Sequence, residues 1–72
     1  MNTSEVIAIS LDNRPHAVAA GTTLALLVES LGHDPRKVST AVNGLFVPRG
    51  RRADCVLQVD DAVLLFQPIV GG

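Results

Sequence analysis

Leu24, Leu27, Val28 and Leu31 fall at i, i+3, i+4 and i+7, which puts four apolar side chains on one stripe of a helix running from about Leu24 to Leu31. Gly32 follows directly, suited to the left-handed position after a helix end, and Pro35 blocks continuation. Upstream, Thr22 or Thr23 can accept a bond from an otherwise unpaired N–H and cap the start. A helix of roughly two turns does not persist alone in water. It needs a sheet to cover, and the rest of the chain must supply one.

The flanking segments read as strands. Val6-Ile7-Ala8-Ile9-Ser10-Leu11 places Ile7, Ile9 and Leu11 on one face and Val6, Ala8 and Ser10 on the other. Asp12-Asn13-Arg14-Pro15 is turn chemistry, after which a short strand, His16-Ala17-Val18, returns antiparallel. Val38–Val42 and Leu45–Val47 flank Asn43-Gly44, the strongest short-range signal for a two-residue type I′ hairpin. Pro48 ends the second of these strands, and Gly50 breaks an Arg49-Gly50-Arg51-Arg52 loop. Ala53–Leu57 fits either a short helical turn or an edge strand. After Asp60-Asp61, the unbroken apolar run Ala62-Val63-Leu64-Leu65-Phe66 predicts a central strand buried on both faces.

Two strands, a crossover helix, a hairpin and a last strand fit one α+β arrangement. A right-handed crossover brings the last strand beside the first in parallel. The result is a β-grasp: a mixed sheet of four to five strands with one helix packed across one face. An irregular small barrel would leave the amphipathic helix without a place. At 72 residues the chain has room for one domain, residues 1–72. With 47% hydrophobic and 18% charged residues it can fill a core.

Composition also excludes several function classes. Six basic against seven acidic side chains give a formal charge of -1, so no overall field draws in nucleic acid or an anionic membrane. Phe46 and Phe66, without tryptophan or tyrosine, make a poor stacking platform for bases. No apolar run approaches the ~20 residues needed to span a bilayer. The single cysteine, Cys55, has no internal disulfide partner, and the N-terminus does not read as a signal peptide, which points to the cytoplasm.

The chain closes with Phe66-Gln67-Pro68-Ile69-Val70-Gly71-Gly72. A terminal diglycine has no side-chain chemistry, so any function there uses the main-chain carboxylate. Two residues without Cβ can thread a narrow active site of another protein. The bland reading is a frayed terminus.

Taken in order, Gly21-Thr22-Thr23-Leu24, Leu27-Val28-Glu29-Ser30-Leu31-Gly32, Ala41-Val42-Asn43-Gly44, Val47-Pro48-Arg49, Val63-Leu64-Leu65-Phe66-Gln67 and Gly71-Gly72 resemble the ThiS sulfur carriers of thiamine biosynthesis. These are relatives of the MoaD-like small subunit of molybdopterin synthase and, more distantly, of ubiquitin. The resemblance covers nearly the whole chain. Three positions depart from the usual pattern: Leu26 stands where many members complete a capping box with Glu, Val59-Asp60-Asp61 replaces Asp-Gly-Asp, and Pro68 gives the ending a molybdopterin-carrier look.

The resemblance implies a protein co-substrate, not an enzyme. A partner adenylating enzyme, ThiF- or MoeB-like, would convert the Gly72 carboxylate to an acyl adenylate with ATP and Mg²⁺. Persulfide sulfur, drawn from cysteine through a cysteine desulfurase, would then give a C-terminal thiocarboxylate. A ThiG-like thiazole synthase would receive the sulfur, with the molybdopterin pathway as the alternative. Gly71 and Val70 would line the tail, a flexible segment from about residue 68 to 72, that enters partner active sites. The chain has no Gly-rich phosphate loop ending in Lys-Ser or Lys-Thr, so the nucleotide site belongs to the partner and no cofactor is intrinsic. The free protein is expected to be a monomer.

Other residues have plainer readings. Cys55 reads as a packing residue, since a reactive thiol needs an accessible, thiolate-favouring site. His16, His33 and Cys55 lack the close paired spacing of a structural zinc site, and no metal is expected. Arg49, Arg51 and Arg52 read first as solvated loop cations, with docking on an acidic patch of the activating enzyme as the alternative and Arg49 the candidate for the partner surface. Leu45 and Phe46 lie on opposite faces of their strand, so one helix cannot cover both, and an exposed apolar patch for a partner follows. A passive interaction module of the same fold is the rival reading; it would not depend on the tail.

Overall fold

The computed structural model describes residues 5–67. Five strands form one sheet in the order β2-β1-β5-β3-β4, from β1 (Val6–Leu11), β2 (Arg14–Ala19), β3 (Ser39–Val42), β4 (Leu45–Val47) and β5 (Ala62–Phe66). Helix α1 (Leu24–Ser30) joins β2 to β3, and a 3₁₀ helix, Arg49–Asp54, follows β4. β5 pairs parallel with β1 and antiparallel with β3, so the mixed sheet predicted from the crossover is present.

The helix begins where its chemistry requires. Thr23 is extended and its Oγ1 accepts the Leu26 N–H at 3.2 Å, which makes Thr23 the N-cap and leaves Leu26 exposed. Leu24, Leu27 and Val28 are buried, and Leu31 is a half-buried C-cap ahead of Gly32 at φ +80°. Leu24 and Leu27 meet Ile9, Leu57 and Val63 in the core, so a stripe too short to persist alone gains its partners from the first and last strands.

Three sequence expectations need correction. The first turn is only Asp12-Asn13, at φ 51° and 68°; Arg14 and Pro15 already belong to β2, which is an edge strand and so tolerates proline. The expected arginine loop is helical, and that helix stops at Asp54. The segment beyond it then runs extended: Val56 bridges Thr23, flanked by Leu24 N–H to Cys55 C=O at 2.8 Å and Leu57 N–H to Thr22 C=O at 2.9 Å. The ambiguous stretch therefore holds the end of a helix and the start of a bridge. Finally, β5 is central but not buried on both faces. Val63 is buried, Leu64 and Leu65 are half-buried, and Ala62 and Phe66 are exposed, because α1 covers one side of the sheet.

Candidate functional site

Strand register decides which side chains share the uncovered face. Val42, Val63, Leu65 and Val47 pack toward the core, so their alternates point away from the helix. Leu64, Ala41 and Phe46 make one row across β5, β3 and β4, and Phe66 follows beside Ser39. Phe46 and Phe66 are 67% and 50% exposed. Toward β1 and β2 the same face continues through Ser10, Ala8, Val6 and Ala17, a shallow surface of small side chains. The result is an apolar sheet face ending where β5 ends.

That end is also where the chain departs toward the diglycine. Gln67 is the last described residue, and its amide nitrogen lies 3.4 Å from His33 Nδ1. Val70, Gly71 and Gly72, the predicted tail and sulfur-carrying residues, lie outside the described residues.

The expected partner residues separate. Phe46 belongs to the open face. Leu45, 72% exposed, alternates with it and shares the helix side with Val47, at the hairpin end of β4. Arg49 is also on the helix side, where it lines a cleft of about 320 Å³ with Leu26, Val28, Glu29 and Pro35. The sequence reading missed Leu64 and Phe66 as members of the open face. An unbroken apolar run carries no alternation to reveal which side stays bare.

Arg52 overturns the solvated-loop reading for one of the three arginines. It is 3% exposed. Its Nη2 donates to Val38 C=O at 2.6 Å, its Nη1 to Pro35 C=O at 2.9 Å, and its Nε to Thr40 Oγ1 at 3.1 Å. Desolvation, then the nearby charge of Arg49, lowers its pKa. Cys55 is half-buried, and burial followed by the charge of Asp61 pushes its thiol pKa up, which disfavours the nucleophilic thiolate. His16 sits on edge strand β2 and His33 in the loop after α1; no group of three His, Cys, Asp or Glu gathers in a metal-binding arrangement among the described residues.

The family model described as the ThiS family matches residues 5–72. The chain belongs to the ThiS family. It is 41% identical over 54 residues to the sulfur carrier protein ThiS of Escherichia coli, covering 75% of this chain and 82% of that one. It is also 42% identical over 64 residues to a thiazole synthase of Magnetococcus marinus, covering 89% of this chain but only 20% of the synthase, so it spans about one fifth of that relative's length. A crystal structure of the thiamine biosynthesis protein ThiS from Geobacter metallireducens superposes with a TM-score of 0.80 at 20% identity, covering 92% of this chain and all of that one. This ThiS-family chain therefore has the ubiquitin-like β-grasp fold.

Proposed function

We propose that this protein is the sulfur carrier of thiazole formation in thiamine biosynthesis, and that Gly72 carries the sulfur. The observation that carries this reading is the ThiS family match through the terminal diglycine, together with 41% identity to a sulfur carrier protein. The similarity to a thiazole synthase supports the thiazole pathway over molybdopterin synthesis.

The chemistry follows from the end group. A carboxylate repels nucleophiles and offers a poor leaving group, so a ThiF- or MoeB-like activating enzyme joins the Gly72 carboxylate to the AMP moiety of Mg-ATP and releases pyrophosphate. The terminal sulfur of a persulfide, supplied through a cysteine desulfurase, attacks the acyl carbon and AMP leaves. Reductive cleavage of the resulting acyl disulfide by a thiol leaves sulfur in place of one carboxylate oxygen. A ThiG-like thiazole synthase is the acceptor's enzyme. The described residues supply the handle: an apolar sheet face for docking and a strand that ends at its border.

Intact-protein mass spectrometry after incubation with the cognate activating enzyme, Mg-ATP and a sulfur source tests this. One oxygen should be exchanged for sulfur at Gly72. Equal incorporation in a Gly72 deletion, or sulfur mapped to Cys55, would refute the carrier mechanism. Binding that survives loss of the tail with no sulfur uptake would favour a passive interaction module.

A further inference from the structure

The described residues bury two polar side chains, Thr40 and Arg52, and these bond to each other. A buried cation is costly, and apolar side chains of similar volume commonly stabilise as well or better. Arg52 meets no carboxylate among the described residues; two carbonyls and one hydroxyl take its hydrogen bonds. Stability alone is a weak reason for such an arrangement, so what it holds in place matters.

It holds the approach to β3. Pro35 and Val38 lie in the segment between α1 and β3, and Thr40 is within β3, where its hydroxyl donates to Val47 C=O of β4 at 2.9 Å. Ser39, the first residue of β3, pairs with Phe66, the last residue of β5, and Thr40 pairs with Leu65. The same α1–β3 segment carries His33, whose ring meets the Gln67 amide. Two routes therefore run from the guanidinium to the residues just before Pro68, one through the sheet and one through the loop.

We propose that Arg52 is a positioning residue, which fixes the end of β5 and with it the point from which the C-terminal tail must reach the activating enzyme. The inference rests on the carrier reading above. Guanidinium geometry suits the task, because a planar fork can hold three acceptors at fixed angles, whereas a lysine ammonium is a single point charge on a flexible stem. The five residues from Pro68 to Gly72 reach at most ~17 Å when extended, so a shift of their starting point at Phe66 and Gln67 shortens the reach of a tail drawn taut in a partner's active site, where a misplacement of about 1 Å can cost on the order of a hundredfold in rate.

The test is steady-state adenylation, read as pyrophosphate release by the cognate activating enzyme with Mg-ATP, for the full chain, Arg52→Lys and His33→Ala, with melting curves for each. Arg52→Lys should lower kcat about tenfold or more with KM within about twofold, the signature of lost alignment with docking retained. His33→Ala, which removes the loop route and leaves the Arg52 hydrogen bonds in place, should lower kcat by about two- to threefold without moving Tm, whereas a rise in KM alone would assign His33 to the Arg49-lined cleft as a docking contact and overturn the loop route. Arg52→Lys that melts earlier yet keeps the wild-type kcat would show a purely structural role and overturn the proposal. Should Arg52→Lys fail to fold, an unchanged kcat in His33→Ala overturns it. A wild-type chain that is not adenylated would instead sink the carrier reading, which keeps the two failures distinct.

Discussion

Asn43 joins two turns that the chain separates by many residues. Its Nδ2 donates to Asp61 Oδ1 at 2.9 Å, its Oδ1 accepts the Ala62 N–H at 2.9 Å, and the other Asp61 oxygen accepts the Gln58 N–H at 2.8 Å. Each turn uses left-handed backbone: Asn43 and Gly44 at φ 53° and 82°, Asp60 at φ 69°. A Cβ at Gly44 would meet nothing within 4 Å, so a side chain there is opposed by backbone conformation and not by crowding. Gly44→Val should therefore lose about 1–3 kcal/mol, the usual cost of a non-glycine residue held in a sparse region, with the β-branch at the upper end. A urea titration reads this as a lower midpoint; an unchanged midpoint would mean the hairpin does not need positive φ. The Asn43-Gly44 turn was legible because both residues accept that conformation readily. The turn at Asp60-Asp61 was legible from its residues, but the left-handed backbone of Asp60 only through the family pattern, which has glycine there. Arg52 was not legible at all, because nothing in Arg49-Gly50-Arg51-Arg52 says which cation a 3₁₀ turn will aim at β3.

Among the elements, α1 carries the clearest dependence on its surroundings. Leu27 is 1% exposed and sits at the centre of the stripe, against Ile9, Leu57 and Val63. Leu27→Asp places an unpaired charge there and should abolish cooperative folding, since such burial costs several kcal/mol and a domain of this size has about that much to lose. Circular dichroism during urea titration would show a broad, non-cooperative signal; a retained sharp transition contradicts the packing described. Strand β5 shows the opposite limit of sequence reading. Its position beside β1 followed from the crossover rule, but its burial did not. Ala62–Phe66 is apolar at every position, and that pattern fits a strand covered twice as well as one covered once with a sticky outer face. The deciding fact is the supply of covering elements. Among the described residues, one α-helix of seven residues and a short 3₁₀ helix, both on the side of Leu57 and Val63, leave nothing for the other face.

At the scale of the molecule, the bare apolar face, of which sequence reading found Phe46 but not Leu64 or Phe66, and the buried arginine, which it missed, would divide one task between them on the carrier reading. On the proposed carrier reading the face would offer contact area, and the cluster around Arg52 would set where β5 ends. These roles predict different kinetic signatures. Phe46 projects from the open face at 67% exposure, on a strand where a β-branched replacement fits as well as an aromatic one. Phe46→Thr should therefore change stability by no more than about 0.5 kcal/mol, as surface substitutions usually do. Aromatic anchors dominate protein interfaces, and their truncation commonly costs about 2 kcal/mol or more, so KM for the activating enzyme should rise by about tenfold or more. Because the lost contact is made equally before and during the chemical step, kcat should hold. Adenylation rates measured across carrier concentrations resolve the two parameters. A fall in kcat with KM unchanged would place Phe46 with the alignment machinery instead, and would mean that the activating enzyme docks elsewhere, with the Arg49-lined cleft on the helix side the next surface to probe.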